Sequence, residues 1–363
     1  MTPAIDAFSC TYAQARTKFL TAAQDADLAI NSYQHPHAGA EGEILALDVV
    51  RDFPGYVDKL LVLSSGCHGV EGYCGSAVQT FVLRSKELRS TYRNAGIGVL
   101  FLHALNPYGF SHTRRVTHEN VDLNRNFVHF TRPLPVNEAY GEIHDLLLPE
   151  TWPPNAQNTE AINNQIRRIG SMRFQEAASG GQYKFPNGMF YGGDKPTWSN
   201  LTLRRILREN VAGTPRVAWI DLHTGLGPYA HGERGLACRS GDIAAERRAK
   251  AWWGQDPTAP ITTVKDGSSV SAPLTGMMAF SLYDECSESE ITAMTMEFGT
   301  VPITQVVYAL RAEHWLYNNP SVNANLTAEI KKDLRDAFYV NTADWKEAVI
   351  KQAVNALRGT FNA

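Results

Sequence analysis

The chain has 363 residues, 44% of them hydrophobic, so it is long enough to bury a large core. Its 34 basic and 37 acidic residues leave a net charge of −3, which offers no electrostatic footprint for nucleic acid or an anionic membrane. No apolar run approaches the roughly 20 residues of a membrane-spanning helix. We therefore expect neither a nucleic-acid nor a membrane partner, and no pattern points to a particular oligomeric state.

The N-terminus lacks the basic and apolar segments of a secretory signal, which predicts a cytoplasmic location. The five cysteines are odd in number and form no C-x-x-C pair, as is typical of a reducing compartment. Cys67 is adjacent to a histidine and could be an extra metal ligand, but a buried neutral thiol is the favoured interpretation.

The first third of the chain alternates between helical and strand-like patterns. Residues 1 to about 33 have apolar positions at spacings of three and four, which predicts a helical lead-in. Residues 44–50 form an apolar run bounded by turn residues, which predicts a strand lying near the next one.

Residues 60–63 have the length and apolar content of a buried strand, and a Ser-Ser-Gly turn ends it before His68 and Glu71. These two residues would span the first turn of a helix that runs from residue 72 to about 88. Positions i and i+3 share a helix face, so an imidazole nitrogen and a carboxylate oxygen can converge on one cation. An isolated H-x-x-E is frequent by chance, but its place at a strand's carboxyl end favours a metal site.

Residues 97–104 predict a third buried strand, and the strand–helix–strand order predicts an α/β fold with a parallel sheet. The polar segment 106–127 follows and contains three arginines. It suits recognition of a carboxylate or an oxyanion, and a solvated loop held by Asn and Asp side chains is an equal alternative.

Residues 131–199 are rich in proline and glycine and resemble an insertion, with a predicted helix over 159–178. A helix over 199–209 then leads into a strand over 216–222, which ends at His223 and repeats the geometry seen at His68. A helix over 240–254 and a strand over 291–296 follow, and Glu297 closes that strand. Helical periodicity covers 303–317 and 328–361.

The succession H-x-x-E, N-P-x-G-F, D-L-N-R-N-F, D-L-H and a late glutamate resembles the zinc carboxypeptidase superfamily, which includes aspartoacylase and succinylglutamate desuccinylase. The resemblance covers roughly residues 59–300, and the motifs N-P-Y-G-F and F-Y-G-G-D-K-P-T-W-S-N look like a carboxypeptidase-like bacterial subfamily. It implies a mixed, mostly parallel central sheet flanked by helices. One catalytic domain would span residues 1–363, with the lead-in and the insertion about 131–199.

The family pattern makes His68, Glu71 and His223 the ligands of one Zn²⁺ ion, with a fourth position open for water. Glu297 takes the place of the family's general base, which accepts a proton from water and delivers it to the leaving amine. Asp122 matches an acid that orients the first zinc-bound imidazole.

The resemblance also implies residues that bind substrate. Asn124 and Arg125 match the pair that grips the substrate's terminal carboxylate. An upstream arginine stabilises the oxyanion, and both Arg114 and Arg115 fall near its place; Arg115 is preferred, although no physical argument excludes Arg114. No substrate-closing tyrosine is assigned, and the tyrosines available for that role are Tyr229 and Tyr283.

The resulting expectation is a zinc-dependent hydrolase that cleaves an amide bond next to a carboxylate-bearing residue, most simply a carboxypeptidase acting on small peptides. An N-acyl amino acid deacylase is the first alternative, because it differs only in which side of the amide carries the recognised carboxylate. A non-catalytic metal-binding relative is the second.

Overall fold

The computed structural model describes residues 3–53 and 56–361, and the strands found in them form one eight-stranded sheet in the order β1-β2-β4-β3-β5-β8-β6-β7. The strands are β1 (Ile30–Ala38), β2 (Ile44–Asp52), β3 (Lys59–Ser65), β4 (Ile97–His103), β5 (Arg216–Thr224), β6 (Gly232–Leu236), β7 (Ile261–Thr262) and β8 (Glu290–Phe298). The central strands β4, β3, β5 and β8 run parallel, whereas β1 and β2 pair antiparallel with their neighbours. Strand β6 is antiparallel to β8 and parallel to β7. The predicted mixed, mostly parallel α/β sheet flanked by helices is confirmed.

The helices are α1 (Pro3–Asp6), α2 (Tyr12–Asp25), α3 (Gly72–Arg84), α4 (Lys86–Asn94), α5 (Pro107–Ser111), α6 (Glu138–Leu147), α7 (Ala156–Ile169), α8 (Ser171–Ser179), α9 (Trp198–Asn210), α10 (Ile243–Trp253), α11 (Ser281–Glu285), α12 (Ile303–Asn318), α13 (Ala324–Phe338) and α14 (Ala343–Phe361). Among the described residues, no helix is both long and apolar enough to cross a bilayer. The single domain over 1–363 and the insertion about 131–199, which holds α6, α7 and α8, stay predictions.

Two apolar layers cover the two faces of the sheet. Side chains alternate along a strand, so Leu61 and Leu63 of β3 pack with α2, α3 and α14, while Leu60 and Val62 pack with α9 and α11. All seven residues of β3 and of β4 are buried. Near-continuous apolar runs are typical of parallel strands with both faces covered, which is why these strands were predictable.

The N-terminal lead-in is helical only to Asp25, and the prediction of helix up to about residue 33 is wrong. Strand β1 begins at Ile30 and is mostly exposed, because it forms the edge of the sheet, so its sequence carries no apolar run. The predicted strand over 44–50 is present as β2. Its neighbours are β1 and β4, however, and β4 separates it from β3.

Three predicted helices are interrupted. The helix over 72–88 ends at Arg84, because the Ser85 hydroxyl accepts a hydrogen bond from the Leu88 backbone and starts α4. The helix over 159–178 breaks at Gly170, whose φ of 88° is outside the helical range. The helix over 328–361 is two helices, α13 and α14.

Candidate metal centre

The turn after β3 carries His68 and Glu71. Gly66 has a φ of 67°, which lets the chain reverse, and the short 3-10 turn Gly69–Glu71 precedes α3. A Cβ on Gly69 would lie 2.0 Å from the Gly109 carbonyl carbon, so only glycine permits this approach. The Gly69 amide donates to the Arg115 carbonyl at 3.0 Å. The turn is therefore fixed to the segment that also carries the two candidate arginines.

Three donor atoms from two distant parts of the chain converge at this turn. The Nδ1 atom of His68 lies 2.9 Å from Glu71 Oε1, and His223 Nδ1 lies 3.0 Å from Glu71 Oε2. The two Nδ1 atoms are 3.2 Å apart, and all three residues are buried. Donors bound tetrahedrally to one zinc ion at about 2.1 Å lie about 3.3 Å from each other. The three residues therefore fit a single Zn²⁺ ion and form a compact donor group.

Each imidazole presents its other nitrogen to a buried carboxylate. His68 Nε2 lies 3.2 Å from Asp122 Oδ1, and His223 Nε2 lies 2.5 Å from Asp221 Oδ2. A carboxylate that holds the proton on Nε2 leaves the Nδ1 lone pair for the metal. The Asp122 contact is consistent with the predicted orienting role. Asp221 was not predicted, although the motif D-x-H on a strand puts both side chains on one face and could have revealed it.

Neighbouring charges shift the pKa values of Glu71 and His223. Burial alone would raise the pKa of Glu71, but His68 and His223 outweigh it and hold the pKa well below the usual range. Burial alone would lower the pKa of His223, yet Asp221 and Glu71 raise it well above its usual value. The carboxylates here therefore favour positive charge between them, which a bound cation would also supply.

Arg114 and Arg115 point in opposite directions. Arg115 donates to Glu71 Oε1 at 2.9 Å and to Asp122 Oδ2 at 3.0 Å. Arg114 instead donates to Glu313 Oε1 at 2.6 Å, within a buried ion pair. The structure therefore brings Arg115 to the donor group and uses Arg114 as an anchor for the loop.

A third contact of Arg115 depends on the His68 tautomer. The guanidinium Nη2 lies 2.8 Å from His68 Nε2, the same atom that faces Asp122. Arginine has no acceptor, and a neutral Nε2 cannot both accept from Arg115 and donate to Asp122. With a cation on His68 Nδ1, Nε2 would carry the proton, and the Arg115 Nη2 group would lose this contact and become available to another acceptor.

Glu297 stands at the carboxyl end of β8, in register with His223 on β5. Its Oε1 atom accepts a hydrogen bond from the Leu226 amide at 3.0 Å. Burial raises the pKa of Glu297 to about 8, and the negative charge of Glu71 adds to this effect. Glu297 is thus a carboxyl group next to the donor group with a pKa suited to proton exchange near neutral pH.

Asn124 and Arg125 are buried one turn beyond Asp122. The Asn124 side chain accepts from the Met278 amide at 2.8 Å. The Arg125 guanidinium donates to the Ser179 carbonyl at 2.6 and 3.1 Å and to the Asn124 carbonyl at 2.9 Å. Both side chains are therefore engaged with backbone groups, and their role in gripping a carboxylate stays a prediction.

The candidate tyrosines lie elsewhere. The Tyr229 hydroxyl donates to Asp344 at 2.8 Å, and the Tyr283 hydroxyl donates to Asp242 at 3.2 Å. Tyr183, which sequence reasoning did not single out, donates to the Arg125 carbonyl at 2.7 Å. Cys67 is buried, and burial raises the pKa of its thiol well above the usual value. Its sulfur also lies with Asp221 and His223 in a compact group of possible metal donors, so both the neutral thiol and the extra ligand stay predictions.

Several solved structures are similar to this chain at low sequence identity. Bovine thrombin-activatable fibrinolysis inhibitor, solved in complex with tick carboxypeptidase inhibitor, is 12% identical, with 94% of this chain and 97% of that chain covered and a TM-score of 0.46. Carboxypeptidase A from Helicoverpa armigera is 14% identical, with coverages of 96% and 73% and a TM-score of 0.44. Succinylglutamate desuccinylase/aspartoacylase from Rhodobacter sphaeroides is 15% identical, with coverages of 80% and 65% and a TM-score of 0.39.

Likenesses of this size do not bear on activity. No curated protein shows a significant match to the sequence. A family model described as "Protein of unknown function (DUF2817)" matches residues 8–352, and the chain belongs to this family.

Proposed function

We propose that the protein is a zinc-dependent hydrolase that cleaves an amide bond next to a carboxylate-bearing residue, acting as a carboxypeptidase on small peptides. One observation carries the proposal. His68 Nδ1 lies 2.9 Å from Glu71 Oε1, His223 Nδ1 lies 3.0 Å from Glu71 Oε2, and the two Nδ1 atoms are 3.2 Å apart. Glu297 stands beside this group, in register with His223. Two imidazoles, one carboxylate and an adjacent unbound carboxyl group are the parts of a hydrolytic zinc site.

A zinc ion held by these three residues would lower the pKa of a bound water and polarise the scissile carbonyl. Glu297 accepts the proton that the attacking water loses and delivers it to the leaving amine nitrogen. The Nη2 group of Arg115, which the protonated Nε2 of His68 releases, donates to the oxyanion that develops on the substrate. The remaining Arg115 donors stay on Glu71 and Asp122 and fix its position.

Substrate recognition is assigned to Asn124 and Arg125. An arginine fork matches a carboxylate bidentately, and this match selects substrates with a free carboxylate next to the scissile amide. To bind it, Arg125 must exchange its bonds to the Ser179 carbonyl for bonds to the ligand. The substrate carboxylate thus competes with the end of α8. The cytoplasmic location inferred from the sequence is part of the same proposal.

The test is replacement of Glu297 by Gln, with Glu290→Gln at the opposite, exposed end of the same strand as the matched control. We expect wild type and both variants to hold zinc, measured by elemental analysis, at the His68 site. The value of kcat should fall by about 10²- to 10⁴-fold in Glu297→Gln alone. Full turnover in Glu297→Gln would show that the base is another group.

Substrate class is read from blocked dipeptides and N-acyl amino acids in parallel. Release of C-terminal residues supports the proposal. Hydrolysis of N-acyl amino acids alone would make the protein a deacylase. Zinc binding without turnover on either set would identify a metal-binding relative that lacks catalysis.

A further inference from the structure

A second group of histidines lies outside the candidate metal centre, at the same edge of the sheet but on the β1 side. His35 and His37 of β1 contact His118, which belongs to the loop that follows α5 and leads to Asp122. Tyr108 and His112 pack beside them. None of these residues has a part in the proposed hydrolysis.

His118 and its neighbour Glu119 contain two polar atoms without a hydrogen-bond partner. The Nδ1 atom of His118 and the Oε2 atom of Glu119 are shielded from solvent, and neither forms a hydrogen bond within the described part of the chain. They nevertheless lie 3.0 Å apart. The two atoms therefore face only each other, and one ion between them would be bound by both. The side chains are 25% and 30% exposed, so an ion can reach the pair from solvent.

Two pairwise contacts resemble those of the first centre. The rings of His37 and His118 have centroids 4.3 Å apart at an interplanar angle of 58°, against 5.0 Å and 63° for His68 and His223. The 3.0 Å between His118 Nδ1 and Glu119 Oε2 equals the distance between His223 Nδ1 and Glu71 Oε2. Both groups therefore contain two imidazoles and one carboxylate, but in the second group the three donors do not yet converge.

We infer that His37, His118 and Glu119 form a second binding site for a late first-row divalent transition metal such as Zn²⁺, Ni²⁺ or Cu²⁺. Imidazole with one carboxylate is the donor set that these ions accept. The three donors are not as closely gathered as those of the first centre. The exposed His37 ring contacts His35, Tyr108 and His118, and its side chain forms no hydrogen bond within residues 3–53 and 56–361. Rotation toward the other two donors on binding would therefore break no hydrogen bond.

His35 stands beside the three donors but is not itself a ligand. Its Nδ1 accepts the His37 amide at 3.1 Å, which leaves the proton on Nε2.

An ion at this place would join the edge strand β1 to the loop that carries Arg115 and Asp122. Its effect would be mechanical, since it fixes one wall of the first centre without touching the reacting atoms. The inference does not depend on the proposed hydrolysis.

The test uses the full-length protein, stripped with a chelator and dialysed against Zn²⁺ alone, with bound zinc counted by elemental analysis. We expect two ions per chain in wild type and in the control His129→Ala, which removes an exposed histidine. One ion should remain in His118→Ala and in His37→Ala, and one in His68→Ala. His118 is half-buried and His37 is exposed, so His37→Ala tests the site even if His118→Ala fails to fold.

Thermal unfolding gives an independent reading. In the His68→Ala background, Zn²⁺ should still raise the Tm, and this rise should vanish in His68→Ala/His118→Ala. A single wild-type ion that is lost in His68→Ala but kept in His118→Ala would overturn the second site and leave the first intact. An ion count that falls in His118→Ala but not in His68→Ala would support the second site and refute the first.

Discussion

Replacing Asp221 by Asn changes the support of a metal ligand without touching the ligand itself. Asp221 Oδ2 lies 2.5 Å from His223 Nε2, and its Oδ1 accepts from the Ser64 hydroxyl at 2.5 Å. The Ser64 oxygen in turn accepts from Trp219 Nε1 at 2.6 Å. All four residues are buried, so no water replaces a lost contact easily.

An asparagine at position 221 has two orientations, and both weaken the site. If its oxygen faces His223, the tautomer is kept, but the negative charge that strengthens the imidazole as a ligand is lost. The amide nitrogen then faces the Ser64 oxygen, whose own hydrogen has no acceptor. If the amide nitrogen faces His223, the imidazole proton must move to Nδ1, the atom that binds the metal.

Loss of such a partner reduces metal affinity by about 10- to 100-fold, or about 1.4 to 2.7 kcal/mol. The assay is competition for zinc against an indicator of known affinity, with the folded fraction checked by circular dichroism. Ser64→Ala, which keeps the Asp221 charge beside His223, should weaken zinc binding less than Asp221→Asn. A zinc affinity of Asp221→Asn within twofold of wild type would refute the reasoning that Asp221 orients His223.

Three further predictions concern the loop, the turn and the sheet. Arg115→Met should lower kcat by about 10²-fold or more, because it removes the donor assigned to the oxyanion. Arg115→Met and Arg114→Met should each cost about 3 kcal/mol of unfolding free energy, because each leaves a buried carboxylate short of a partner. Kinetics and urea unfolding measure the two effects, and equal kinetic losses in the two variants would contradict the assignment. Gly69→Ala should reduce both zinc binding and Tm, since its Cβ would lie 2.0 Å from the Gly109 backbone. Gly141→Ala is the control, because its Cβ would meet only the Phe185 ring at 3.8 Å, and it should be neutral or stabilising by about 0.5 to 1 kcal/mol. Burial lowers the pKa of His103 from 6.5 to about 4, so the folded state binds this proton less readily than the unfolded state does. As the pH falls from 6.5 to 4, wild type should lose up to about 3 kcal/mol of unfolding free energy relative to His103→Gln. Parallel curves of unfolding free energy against pH for the two proteins would be the contrary result.

The predictable part of the fold is the part where apolar residues are continuous. The strands β3, β4, β5 and β8 are buried on both faces, so their sequences are apolar runs that predict a strand. The edge strand β1 and the strand β6, with the sequence GERGL, have no such pattern, since their neighbours in the sheet, and not their own composition, make them strands.

The residues of the candidate metal centre also divide into those that the sequence could predict and those that it could not. The approach of His68, Glu71 and His223 was predictable because each lies at or just beyond the carboxyl end of a parallel strand, and these ends meet at one edge of the sheet. The choice between Arg114 and Arg115 was not, because adjacent residues differ only in direction. The partner that turns Arg114 away is Glu313, which is 199 positions distant in the sequence. No local pattern reports a contact over that distance.

The segment that follows α5 and ends at Asp122, residues 112–122, links these observations. Its backbone fixes the turn that carries Glu71, its Arg115 and Asp122 hold the ligand side chains, and Arg114 anchors it to α12 through the Glu313 ion pair. A change in this segment therefore moves a metal ligand and its orienting acid together. For this reason a disturbance as remote as loss of the Glu313 ion pair should reach the metal centre as reduced zinc affinity, through the position of the segment and not through any direct contact with the ion.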